Sequence, residues 1–187
     1  MQTPKLYMVL LGATPKGRHI EQHDMFFGIG TSLADLVPQI EAFWPEAAGK
    51  IHIDGYREVT KVGEYKVEVV AKAAGRKQDP TSLFFLNLGG YKQGEFEEFH
   101  YKVLVVTDQK ALAIQEAKES TFYKHTGFGE APSHIDDRYG VDVDDVFDIK
   151  DILPESIRQQ YQLKFSKAGQ LPDDELWLGY MPLNRLP

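Results

Sequence analysis

The residues best suited to chemistry in this sequence are written twice. Glu-x-His occurs at Glu21 and His23 and again at Glu98 and His100, and His-Ile-Asp occurs at 52–54 and again at 134–136. In an extended strand, residues i and i+2 point to the same face, about 6.5–7 Å apart. Each pair therefore presents an imidazole and a carboxylate side by side. If the two strands of one copy adjoin, Glu21, His23, His52 and Asp54 converge, with a twin set at Glu98, His100, His134 and Asp136. Mixed imidazole and carboxylate ligands suit zinc, manganese or iron, so a divalent metal is the cofactor these residues would take. The same groups can work as a His–carboxylate acid–base pair. They can also act structurally, because a histidine held by a carboxylate fixes a strand end or turn, and in a duplicated fold such a pair recurs.

The elements that must position these residues repeat as well. Leu6 to Leu11 is a continuous apolar run ended by Gly12, which fits a strand buried on both faces. After a turn-rich loop at 13–18, the chain returns through Ile20 to Gly30 as an antiparallel strand with Glu21, His23, Met25, Phe27 and Ile29 on one face. Ser32 is placed as an N-cap with Asp35 as its capping-box partner, ahead of an amphipathic helix through Leu33, Leu36, Val37, Ile40 and Phe43 or Trp44. Pro38 is expected to kink that helix. Lys50 to Asp54 then alternates, putting His52 and Asp54 on one face and Ile51 and Ile53 on the other, and 64–71 is a further strand.

At an offset of 77 positions, Leu6, Leu11, Gly12, Gly17, Glu21 and His23 match Leu83, Leu88, Gly89, Gly94, Glu98 and His100. Asp108 then stands as the N-cap of a weaker amphipathic helix through Leu112, Ile114 and Ala117. The offset grows to 82 at His134-Ile135-Asp136 and to 96 where Tyr65 meets Tyr161. The expected architecture is α+β: a tandem repeat of a strand-strand-helix-strand-strand unit, mainly antiparallel, with helices on one face and pseudo-two-fold symmetry. The expected division is 1–75 for the first repeat, 76–168 for the second, and 169–187 for a tail that packs on the repeats or on a partner.

Composition bounds the rest. A chain of 187 residues with 42% hydrophobic residues can bury a real core, whereas one repeat of roughly 70–85 residues would be marginal alone. The formal charge of −7, with its basic residues scattered, offers nothing to a phosphate backbone, so no nucleic-acid partner is expected. The absence of cysteine excludes disulfides, thiolate catalysis and iron–sulfur ligation. No h-region with a cleavage site precedes the first strand and no apolar run approaches 18 residues, so a soluble, cytoplasmic protein without membrane contact is expected. The aromatics Phe122, Tyr123 and Phe128, with Trp177 and Tyr180 of the tail, offer a surface for a homodimer or another partner.

Two tempting motifs fail on chemistry. The acidic stretch 136–151 is not an EF-hand: counting from Asp142, the sixth position is Phe147 where glycine is needed and the twelfth is Leu153 where glutamate belongs. It reads as a solvated acidic edge. The loops at 12–17 and 89–94 lack the Gly-Lys-Ser/Thr ending of a phosphate loop and lead into strands, so they read as hairpin loops.

The glycine-closed apolar strand, Glu-x-His, helix and His-Ile-Asp, twice in order, resemble a family of small bacterial proteins called domain of unknown function 1543. The resemblance covers nearly the whole chain except the tail and implies one or two copies of such a unit. It implies no activity, substrate or cofactor. Tyr101 stands in the second copy where Asp24 stands in the first. The sequence thus points to a bacterial cytoplasmic protein acting as a non-catalytic structural or interaction protein. The alternative is a metal-binding or acid–base, hydrolase-like protein using the paired motifs.

Overall fold

The computed structural model describes residues 3–73, 80–91, 94–125 and 142–186, and the side chains among these except at 121–125 and 142. It is a mixed α/β structure, mostly antiparallel sheet with few helices, and divides into two compact units, Met1–Arg76 with Leu153–Pro187, and Lys77–Ile152.

In the first unit the apolar run becomes β1 (Lys5–Ala13), flanked on one side by β2 (Gln22–Gly30) and on the other by β3 (His52–Glu58), all antiparallel. Alternation along β1 divides its side chains. Tyr7, Val9, Leu11 and Ala13 enter a core with Phe26, Leu36, Ile40, Ile51 and Ile53. Leu6, Met8, Leu10 and Gly12 take the opposite face. Tyr7 sits in that core with its hydroxyl 3.4 Å from Glu58, and burial first, then the Glu58 charge, pushes its phenol up to about 12.

The helix after β2 departs from the expected one. A 3-10 turn at 34–36 leads into α1 (Val37–Phe43), so Pro38 falls in the first turn of the α-helix, where its missing N–H is not needed, and it bends nothing. Leu33, not Ser32, occupies the N-cap position of the 3-10 turn and gives no side-chain bond. Asp35 does reach back as the capping-box partner, accepting from the Thr31 and Ser32 backbone N–H groups at 2.8 and 3.1 Å, and these bonds with the Thr31 hydroxyl hold its carboxyl below the usual range.

The remainder of this unit comes from both ends of the chain. Strands β4 (Lys61–Val62) and β5 (Tyr65–Ala71) are joined by β9 (Tyr161–Lys167) in a second antiparallel sheet. The last strand, β10 (Trp177–Pro182), pairs with β3 and completes the order β10-β3-β1-β2. Asp174 pins the approach to it: one carboxylate oxygen accepts from Thr60 N–H, Thr60 hydroxyl and Lys61 N–H at 3.0, 2.6 and 3.1 Å.

In the second unit β6 (Ser82–Tyr91) is central, between β7 (Glu98–Thr107) and β8 (Asp142–Asp148). The helix α2 (Lys110–His125) packs through the fully buried Ala113 and Ala117, one turn apart, against Leu86, Leu88 and Val105. Leu112, expected on the apolar face, is exposed instead, because two alanines suffice for a close seam. The acidic stretch is an edge in the literal sense, since its residues 142–148 are edge strand β8. The short helix α3 (Ile149–Ile152) ends this unit, and α4 (Glu155–Gln160), opened by Pro154 as its N-cap, belongs to the first unit.

Two outcomes follow from these contacts. Asp174→Ala strips three donors of their acceptor and should lower stability by about 1–3 kcal/mol in urea denaturation. Tyr7 carries a raised folded pKa, so the stability its neutral phenol supplies is complete below its unfolded value and is lost as pH rises from about 10 through about 12. Tyr7→Phe, compared with wild type across that window, should flatten the alkaline loss, and equal alkaline slopes would show that Tyr7 does not set it.

Candidate functional site

The site in the first unit begins with a strand register. Gly12 on β1 lies opposite His23 on β2 and opposite His52 on β3. Directly paired residues of antiparallel strands share a face, with Cα atoms about 4.5–5.5 Å apart. The row His23–Gly12–His52 therefore places two imidazoles on one face with no side chain between them. An alanine Cβ at position 12 would lie 2.3 Å from Asp54 Oδ2 and 2.4 Å from His52 Nε2. The glycine is the floor over which the polar side chains meet.

A β-bulge supplies the third group. Leu10 pairs with Gly55 and Leu11 with Ile53, so the register skips Asp54. Bulges re-aim side chains. Here Asp54 joins His52 on the Gly12 face while Ile51 and Ile53 enter the core, as the alternation of 51–54 predicts. Glu21, just before β2, is the fourth.

The four side chains form an alternating ring. His52 Nε2 lies 3.1 Å from Glu21 Oε1 and 3.3 Å from Asp54 Oδ1. His23 Nε2 lies 3.5 Å from Glu21 Oε2 and 3.2 Å from Asp54 Oδ2. Each imidazole thus aims one nitrogen at two carboxylates, and each carboxylate gives one oxygen to each imidazole. Ligand-type atoms of Glu21, His52 and Asp54 all lie within 4.8 Å of one another. His52 is 7% exposed and Asp54 23%, whereas His23 and Glu21 are 46% and 43% exposed, so the ring has a buried wall and a side open to solvent. Asp54 Oδ2 is itself buried and has no hydrogen-bond partner.

The second unit builds a related site from a different third strand. Gly89 lies opposite His100 on β7 and Asp142 on β8, and the register again skips a residue, passing from Val143 to Asp145. The skipped residue is Asp144, whose Oδ2 lies 3.4 Å from His100 Nε2. Glu98 Oε2 is 3.9 Å from the same nitrogen. A Cβ on Gly89 would meet Asp144 Oδ2 at 2.5 Å and Glu98 Oε1 at 3.0 Å. Ligand-type atoms of Glu98, His100 and Asp144 also lie within 4.8 Å of one another. The hydroxyl of Tyr91 bonds to Glu98, and that carboxylate, with Asp144 near, pushes the phenol's pKa up.

The sequence-derived sites compare with this geometry residue by residue. Glu21, His23, His52 and Asp54 come together, and Glu98 comes together with His100. His134 and Asp136 lie outside the described residues. The strand beside β6 is β8, and Asp142-Val143-Asp144 stands in register where His52-Ile53-Asp54 stands in the first unit. Asp144 is thus a residue that reading for literal identity missed. Its signal was present in the Asp-Val-Asp alternation inside the acidic stretch. Phe122, Tyr123 and Phe128 of the expected partner surface have no described side chains, and Trp177 packs on the first unit's core.

Two antiparallel sheets, four-stranded in the first unit and three-stranded in the second, each carry a glycine-floored polar cluster on a central strand. Residues 18–69 match the family model described as Domain of Unknown Function (DUF1543), the family to which the doubled motif pointed, and the matched stretch contains all four members of the first ring. The chain is also similar to a solved structure, the crystal structure of a protein Il1583 from Idiomarina loihiensis, with a TM-score of 0.63, 23% identity and coverage of 96% of this chain and 98% of that one. That likeness is one of fold. No curated protein matches the chain. Among the described residues no helix is long and apolar enough to cross a membrane.

If Gly12 is the floor, Gly12→Ala must displace His52 and Asp54 while leaving the β1 ladder formed. The imidazole resonances of His52 should move, and stability should fall by about 1–3 kcal/mol from overpacking. Unchanged His52 resonances would mean that the cluster does not rest on that glycine.

Proposed function

We propose that the protein binds a divalent transition metal in the first unit through Glu21, His23, His52 and Asp54. The observation that carries this reading is the buried Asp54 Oδ2, which makes no hydrogen bond although His23 Nε2 lies 3.2 Å away, while His52 Nε2 faces the other oxygen of the same carboxylate at 3.3 Å. One N–H serves one acceptor well, yet each Nε2 here faces two carboxylate oxygens at 3.1–3.5 Å. Those separations suit ligands around one ion: atoms about 2.0–2.1 Å from a tetrahedral zinc lie about 3.3 Å apart. Glu21, His52 and Asp54 are the three whose ligand-type atoms lie within 4.8 Å of one another, and His23, at the open side, would close on an ion held by them. The donor set suits zinc, manganese or iron, and the solvent-open side leaves room for water or a substrate oxygen.

The second unit's set, Glu98, His100 and Asp144, is poorer in nitrogen and more open. We propose it as a weaker site that prefers manganese or magnesium to zinc. The common strand order, the glycine floor and the bulge recurring at the same 77-residue offset on the central strand (Leu10/Leu11 and Asn87/Leu88) support a duplicated unit as the origin of both.

The competing reading is a charge network that fixes strand ends and holds no metal. Metal analysis by mass spectrometry, on protein purified without a histidine tag, separates the two. Near-stoichiometric zinc, manganese or iron is expected, lost when His23 and His52 are both replaced by alanine. A chelator should lower the melting temperature, because metal bound only by the folded state stabilises it. Protein that stays free of metal after soaking in all three ions, with its melting temperature unmoved by them, would assign the ring to the charge network.

A further inference from the structure

The C-terminal strand places an aromatic ring on the first site, and nothing in the paired motifs calls for it. Tyr180 lies against His52 with ring centroids 4.5 Å apart and planes at 41°. It reaches there because β10 is irregular. Leu178 pairs with Gly55 and Met181 with Ile53, so Gly179 and Tyr180 fall between two stretches of register. Gly179 has φ of +146°, a conformation that favours glycine, and this lets the strand bulge at that point. The bulge is clamped at both ends. Before it, Trp177 stacks on Tyr56 at 5.4 Å and 27°. After it, Met181 and Leu183 pack on the core, and Pro182 is opposite His52 itself.

Tyr180 remains 69% exposed, so core burial does not account for its position. What it touches is the imidazole ring whose Nε2 is aimed at Glu21 and Asp54. Resting on the metal reading above, we infer that Tyr180 is a positioning residue: its ring restrains the plane of His52 and so holds Nε2 on the metal. Groups that orient a ligating histidine are commonly worth about 10–100-fold in metal affinity. The contact is between the two rings, tilted at 41°, so on this inference the aromatic ring matters and the hydroxyl does not. Among the described residues the second unit's sheet, β7-β6-β8, has no fourth strand beside β8. No strand corresponding to β10 is thus described beside that cluster, in keeping with its proposed weaker binding.

The test is a titration of wild type, Tyr180→Phe and Tyr180→Ala with zinc and with manganese, read by competition against a chelating dye. Melting of each metal-free variant is followed in parallel. Phenylalanine should keep the wild-type affinity, while alanine should weaken it by about tenfold with an unchanged metal-free melting temperature. Equal affinity for alanine and wild type would overturn the role of Tyr180 while leaving the metal site standing. Phenylalanine as weak as alanine would move the effect to the hydroxyl and overturn it too. If alanine lowers the metal-free melting temperature, Tyr180→Leu, which keeps apolar bulk without a ring, decides: wild-type affinity there overturns the stacking role. Wild type that binds neither ion would remove the metal reading and this inference together.

Discussion

A missing side chain is the constraint on which the first site depends. Gly12 stands at the middle of a three-strand row with a histidine on either side, and an added methyl group would occupy the space now held by Asp54 Oδ2 and His52 Nε2. Three later features follow from that gap. The histidines lean inward over it, the Asp54 bulge aims a carboxylate into it, and the apolar residues that alternate with them are left to build the core on the far face. The sheet thus separates two duties by parity: one face of β1 carries the helix-packed core, and the other ends in the polar cluster.

The same device explains why the neighbouring strands are irregular where they are. A regular ladder past Gly12 would hold Asp54 in register opposite β1, and the observed shift between Leu10 and Leu11 skips it instead. In β10 a second irregularity, at Gly179 and Tyr180, brings an aromatic ring to the outer side of His52. Irregular pairing on both sides of His52 costs ladder hydrogen bonds. The offset comes from the apolar anchors beside each shift, Ile53 on β3 and Trp177 and Met181 on β10, all of which pack in the core.

Much of this was legible in the sequence because it obeys the period of two. The strand at 6–12, the antiparallel return with Glu21 and His23 on one face, and the inward turn of Ile51 and Ile53 all follow from alternation. The expectation that the two motif strands adjoin does not hold: β1 lies between β2 and β3, and the four polar groups converge across it because Gly12 leaves the row between the histidines without a side chain. Other features obey no local period. Pro38 reads as a helix breaker until the helix is seen to begin one residue before it. Asp144 hid inside a run of acids, because the literal triplet His134-Ile135-Asp136 matched better than the chemically altered Asp142-Val143-Asp144. Identity tracks residue names, whereas a ladder tracks register, and the glycine at 89 fixes the register. Tyr180 was unreadable as a site residue: its approach to His52 depends on a bulge and on pairing between strands about 120 residues apart, and no spacing in the sequence encodes that.

The two clusters also bound what this fold can do chemically. Both units keep the glycine floor, the Glu-x-His strand and the carboxylate at the skipped position, so these belong to the geometry common to the two sheets. They differ at the residue opposite the glycine on the third strand, His52 in one and Asp142 in the other, and in the strand that covers it. A second imidazole is what a transition metal gains over a hard cation. The aromatic ring of Tyr180 lies against that imidazole, the one ligand that would set the preference under the proposed metal reading. If the cluster holds a metal as proposed, its specificity would lie on the β3–β10 side, where His52 is the most buried member of the ring, while Glu21 and His23 stay open to solvent. That polarity, with a fixed inner wall and an accessible outer one, is what a site needs if a bound ion is to meet something from solution as well as hold strands together.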